Sequence, residues 1–139
     1  SNASRTLAAA MAPPEPDIVT ASFAHGRPRL IDLDGKQSEA SDEVARRLET
    51  LRSWIGSHFG TDQGFGEILR IEFLDGMRVL FDTRDVVHIR PSGNAPQLRV
   101  YALANSEDRA RTIVAMAIRE SGGVLHALLA EAVSRHNTF

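Results

Sequence analysis

Apolar and polar positions follow two different periods along this chain, and the change from one to the other marks its elements. From Ser41 onward, Val44, Leu48, Leu51, Ile55 and Phe59 recur every three or four residues, with Asp42 and Glu43 ahead of them and Gly60 behind. That spacing predicts an amphipathic helix with acidic residues in its first turn. Four later runs, Ile68 to Leu74, Met77 to Phe81, Val86 to Ile89 and Leu98 to Leu103, are short and rich in β-branched and aromatic residues. They predict a four-stranded meander, with Asp75-Gly76 suited to a type I′ hairpin turn and a further turn around Asp82 to Asp85. Upstream, the apolar groups between Ile18 and Leu33 are broken by Gly26 and Pro28 and predict one or two short strands. Downstream, Asn105 or Ser106 can cap a second helix, with Asp108 in its first turn. Its buried stripe is Ala110, Ile113, Val114, Ala117 and Ile118, and it runs up to Gly122-Gly123. Val124, Leu125, Leu128, Leu129, Ala132 and Val133 predict a last helix. Helices that bury one stripe beside an antiparallel sheet of about four strands give an α+β two-layer sandwich with the helices on one face.

Composition narrows the picture without deciding it. With 139 residues and 42% hydrophobic content, one domain with a real core is expected. Ser1-Asn2-Ala3 resembles the scar of a cleaved purification tag, and the alanine run followed by Pro13, Pro14 and Pro16 has linker chemistry. The expected division is a tag remnant and Ala/Pro-rich linker over residues 1–17 and a folded domain over 18–139. A formal net charge of -2 argues against a bulk polyanion or an acidic membrane face as the main partner, so neither nucleic acid nor membrane is expected. Fifteen arginines against the single Lys36 are interspersed with acids, as solvated faces require. The absence of cysteine removes disulfides, thiolate nucleophiles and cysteine metal sites, which suits a cytoplasmic location.

One stretch of the meander carries candidate chemistry. Between the third and fourth strands lies Arg90 to Arg99, reading RPSGNAPQLR, with no acid inside it. Arg90 and Arg99 offer forked, permanently charged donors, while Ser92, Gly93 and Asn94 offer hydroxyl, backbone N–H and amide groups on a turn bounded by Pro91 and Pro96. A decad joining two neighbouring strands lets its two arginines converge at one sheet edge. A phosphomonoester dianion there gains several charge-assisted hydrogen bonds, each on the order of 1.5–3 kcal/mol before desolvation.

Three segments together resemble the C-terminal domain of the α-D-phosphohexomutases, the group that includes phosphomannomutases and phosphoglucomutases. They are Asp75-Gly76-Met77-Arg78-Val79, the run from His88 to Tyr101, and the Ser-Glu-Asp-Arg-Ala opening of the following helix, and the resemblance extends from about Phe65 to about Ala117. The Arg-Pro-Ser-Gly core with its distal arginine makes it specific. The resemblance implies a TATA-binding-protein-like fold. It also implies a four-domain parent enzyme, an isomerase of carbohydrate metabolism that interconverts hexose 6-phosphate and hexose 1-phosphate through a phosphoserine and a bound magnesium held by other domains. In such an enzyme this domain grips the phosphate that is not reacting, and Arg90, Ser92, Gly93, Asn94 and Arg99 are the positions that would do so. Many members of the family have Thr-Glu-Pro where this chain has Asn94-Ala95-Pro96, and the Asn-Ala-Pro form is similar to phosphomannomutase-like members. Expected partners are mannose or glucose 1- or 6-phosphate and the N-terminal domains of the parent.

The other catalytic motifs of that family do not appear in the sequence. There is no Asp-rich magnesium loop, no Gly-Glu-x-Ser-Gly segment and no serine followed by His-Asn, and Thr20-Ala21-Ser22 copies only three letters of the phosphoserine motif. No catalytic residue, metal ligand or cofactor is therefore expected in this fragment, and no turnover by it alone. Asp32-Leu33-Asp34-Gly35 lacks the further acids of a calcium loop and predicts a turn. Arg78 and His88 are expected on the solvent face of their strands, and Trp54 as a partly buried packing residue. The competing expectation is a stand-alone interaction or regulatory module of the same fold.

Overall fold

In the computed structural model, which describes residues 11–24, 26–91, 98–119 and 128–132, the sheet is wider than the four-stranded meander and the one or two short upstream strands that the pattern predicts. Its strands are β1 (Ile18–Ser22), β2 (Arg29–Asp32), β3 (Gln37–Glu39), β4 (Ile68–Glu72), β5 (Met77–Phe81), β6 (Val86–Pro91), β7 (Leu98–Leu103) and β8 (Leu128–Ala132). They are ordered β3-β2-β1-β4-β5-β6-β7-β8. The expected meander is the antiparallel run β4 to β7. What the periodicity leaves out is the pairing of β1 with β4, which joins the upstream hairpins to the meander through Thr20 to Ser22 against Arg70 to Glu72. The estimate of about four strands is thus corrected to eight. The wholly exposed Gln37–Glu39 has no apolar alternation to announce it and is a strand because β2 supplies a partner.

The last helix is also corrected. Leu128–Ala132 is a strand, parallel to β7 over Leu98 to Ala102. A five-residue apolar run fits either element, and here the open edge of β7 decides: backbone groups that a helix would leave unpaired there are taken up by the ladder. The rest of the predicted last helix, with Gly122-Gly123, lies outside the described residues.

Two helices form as their patterns require. In α1 (Asp42–His58) the Ser41 hydroxyl accepts the Val44 N–H at 3.3 Å, Asp42 and Glu43 face the positive end, and Val44, Leu48, Leu51 and Ile55 are buried. In α2 (Glu107–Arg119) the cap is Ser106, whose hydroxyl accepts the Arg109 N–H at 3.0 Å. Ala110, Ile113 and Ala117 of α2 join one core with the α1 stripe and with Ala21, Ile71, Met77, Val79, Val87, Ile89, Val100 and Ala102 of the sheet. Both helices therefore cover the same sheet face. Trp54 packs at the margin of this core, and Met11, within the stretch with linker chemistry, is buried in it.

Register then fixes the opposite face. Cross-strand partners share a face, so the core row Ala21, Ile71, Val79, Val87, Ala102 implies a neighbouring outward row Thr20, Glu72, Arg78, His88, Tyr101. Arg78 thus lies on the expected outer face, half-buried, and donates to Glu72 at 2.7 Å. The Asp32 carboxylate accepts the N–H groups of Asp34 and Lys36, both at 2.9 Å, so this stretch is the expected turn. Ala21 of Thr20-Ala21-Ser22 is fully buried in β1.

Candidate functional site at the end of strands β6 and β7

Two arginines are brought face to face by the β6–β7 register. Arg90 and Arg99 are direct partners across the ladder, one position before Pro91 and one after Leu98. Their Cβ atoms therefore stand about 5 Å apart on one face, and that face is the outer one, because their neighbours Ile89 and Val100 are fully buried. Alternation along each strand puts His88 and Tyr101 in the next row of the same face. Ser92, Gly93 and Asn94 lie outside the described residues; the structure places the two ends of the expected cradle.

Like charges directly opposite one another oppose sheet pairing unless something compensates them. For Arg90 the compensation is partial. Its Nε lies 3.6 Å from Asp75 Oδ2, too far for a hydrogen bond, and this Nε is buried without a hydrogen-bond partner among the described residues. Its Cζ stands 5.8 Å from the Tyr101 ring centroid, within the range of a cation–π contact. For Arg99 no ion pair is found among the described residues. Among the described residues the arrangement is a pair of half-buried cations with at least one donor, Arg90 Nε, without a hydrogen bond, chemistry that suits an oxyanion with several acceptor oxygens.

The backbone under Arg90 is positioned by the β4–β5 turn. Asp75-Gly76 does not form a type I′ turn, because that turn requires positive φ at both central residues and only Gly76, at φ 71, has it. A Cβ on Gly76 would sit 2.3 Å from the Ile89 carbonyl oxygen and 2.7 Å from Arg90 Cα. Glycine is thus required for the turn to lie against β6. His88 Nε2–H donates to the Asp75 carbonyl at 2.6 Å and tethers the turn from the other side. His88 is half-buried at this tether, beside Tyr101 with ring centroids 5.9 Å apart.

Asp75 and Tyr101 are the neighbours of Arg90 that the sequence reading did not single out. For Tyr101 a signal existed, since it follows Arg99 at the two-residue spacing that returns to the same strand face. For Asp75 none did, because an Asp-Gly pair reads as turn chemistry and does not show which strand the turn leans on.

The family-model description that matches this chain is "Phosphoglucomutase/phosphomannomutase, C-terminal domain", over residues 31–120. A phosphomannomutase from Salmonella muenchen is 49% identical over 47 residues, covering 34% of this chain and 10% of the relative. A phosphomannomutase from Sinorhizobium fredii is 40% identical over 80 residues, covering 58% of this chain and 16% of the relative. The chain thus spans less than a fifth of the length of these relatives. No solved structure matches it. The matched region runs from within β2 to just past the end of α2 and contains both arginines, and on that match the chain belongs to the phosphoglucomutase/phosphomannomutase family as its C-terminal domain.

Proposed function

We propose that this domain binds the non-reacting phosphate of a hexose phosphate for a parent phosphohexomutase, with a phosphomannomutase favoured by the names of its relatives. The observation that carries the reading is the opposed Arg90–Arg99 pair, facing one way from the sheet, with Ser92-Gly93-Asn94 between the two arginines in sequence. Two guanidinium groups about 5 Å apart at Cβ can each direct two N–H donors at one phosphate, and the dianion relieves their mutual repulsion. Such a grip does no chemistry at phosphorus. It holds the remote end of the substrate so that binding energy orients the reacting end, which belongs to domains beyond this one. A parent enzyme would obtain its phosphoserine and magnesium from those domains, and this domain alone would bind without turnover.

Titration of the ¹⁵N-labelled chain with mannose 6-phosphate tests the reading. Amide shifts should cluster between Arg90 and Arg99, and Arg90→Ala or Arg99→Ala should weaken binding about tenfold or more, equivalent to the loss of one charge-assisted contact. Shifts that survive both substitutions would remove phosphate gripping from this loop.

A further inference from the structure

We infer that Asp75 is a resident anion for Arg90, so that an incoming phosphate gains Arg90 by displacing the Asp75 carboxylate. The inference rests on the phosphate reading above and specifies how the site is held between ligands. Three features of the structure support it.

First, the contact is coulombic and unsaturated: at 3.6 Å the Asp75 carboxylate neutralises Arg90 without taking a hydrogen bond from its Nε. A phosphate oxygen approaching to hydrogen-bond distance has a stronger interaction to offer. Second, the pair is open to solvent apart from the buried Nε, with the Asp75 side chain 60% exposed and that of Arg90 39% exposed, so a phosphate reaches Arg90 through its terminal nitrogens. Third, the carboxylate can leave while the scaffold stays. The turn is held through the Asp75 main-chain carbonyl by His88 and through the close approach of Gly76 to β6, and neither contact uses the carboxylate. The contact of Arg90 with the Tyr101 ring, 5.8 Å from Cζ to the centroid, likewise does not use the carboxylate. Arg78, a further cation of the same outer face, is engaged by Glu72 at 2.7 Å.

The test is a double-mutant cycle on the 139-residue chain with inorganic phosphate as the probe, followed by the amide shifts and by the Arg90 Nε–H resonance. Asp75→Asn keeps the shape of the turn residue and its carbonyl, and an unchanged amide spectrum outside the loop verifies the fold. The variant should bind phosphate about two- to fivefold more tightly, the range expected for removing one exposed competing ion pair. The Arg90 Nε–H resonance of the phosphate-free variant should move away from its wild-type position. In an Arg90→Ala background the same substitution should change affinity by less than half as much. Equal tightening with and without Arg90 would show long-range repulsion and overturn displacement. Weaker binding by Asp75→Asn would overturn it too, showing that the carboxylate helps aim Arg90. If neither wild type nor Asp75→Asn binds phosphate, the phosphate reading falls and takes this inference with it. Normal wild-type binding with an unresponsive Asp75→Asn removes the inference alone.

Discussion

Arg90, near the end of β6, and Arg109, which reaches Asp85 just before β6 begins, have opposite surroundings. Arg109, at the start of α2, has three protein partners: Nη2 reaches Asp85 Oδ2 at 3.3 Å, Nη1 donates to the Gln63 carbonyl at 3.3 Å, and Cζ lies 4.8 Å from the Phe65 ring centroid. Its partner Asp85 is buried and also accepts the Thr83 hydroxyl at 2.9 Å. This cluster ties α2, the 3₁₀ turn Thr61–Gln63 and the β5–β6 turn into one corner of the fold. Arg90, at the far end of β6, has a loose carboxylate, a ring and a second arginine opposite it. The difference separates a cation held by protein partners from one that faces a like charge. A guanidinium engaged by protein partners contributes to the fold, whereas two opposed like charges cost stability unless something compensates them.

The comparison is most severely tested at the structural corner. Arg109→Ala leaves the buried Asp85 carboxylate without its cation, and about 3 kcal/mol of stability should be lost, read as a lower urea midpoint at unchanged slope. Phosphate binding measured under folding conditions should be unaffected. Gly76→Ala comes next, because it combines positive φ with a Cβ at 2.3 Å from a backbone oxygen; about 2 kcal/mol should be lost in the same assay. Because the collision is with the backbone at Ile89 and Arg90, phosphate affinity should fall as well, which sets this position apart from Arg109. Arg99→Ala should show the inverse profile, with binding weakened about tenfold or more and a urea midpoint unchanged or slightly higher, since one of two opposed like charges is gone. A clear loss of stability in that variant would erase the distinction between the two ends. The smallest effect is expected at Arg78→Ala, where a partly exposed pair with Glu72 contributes less than about 1 kcal/mol.

Much of this was legible in the chain before any coordinates. The period of α1 and its Ser41 cap, the four runs that became β4 to β7, and the start of α2 follow from local spacing and capping chemistry. The RPSGNAPQLR stretch announced the candidate site because two arginines without an acid between them are unusual in a short connection between strands. Three features were not legible. The run at Leu128 reads as helix by spacing and is a strand, because the edge of β7 takes it up. Asp75-Gly76 reads as an ordinary hairpin turn, yet it departs from type I′ because it must fit against β6. The link between Asp85 and Arg109 spans 24 residues and leaves no periodic trace.

The sequence by itself determined which segments alternate, which stretch could hold a phosphate and which family the domain resembles, because those properties reside in side-chain type and near-neighbour spacing. Only the tertiary structure decided that Arg90 stands opposite Arg99, that Asp75 reaches Arg90 from another turn, and that Arg109 is committed to Asp85. Register and turn packing are set by long-range backbone pairing and burial, and residues distant in the chain acquire their partners only when the sheet closes.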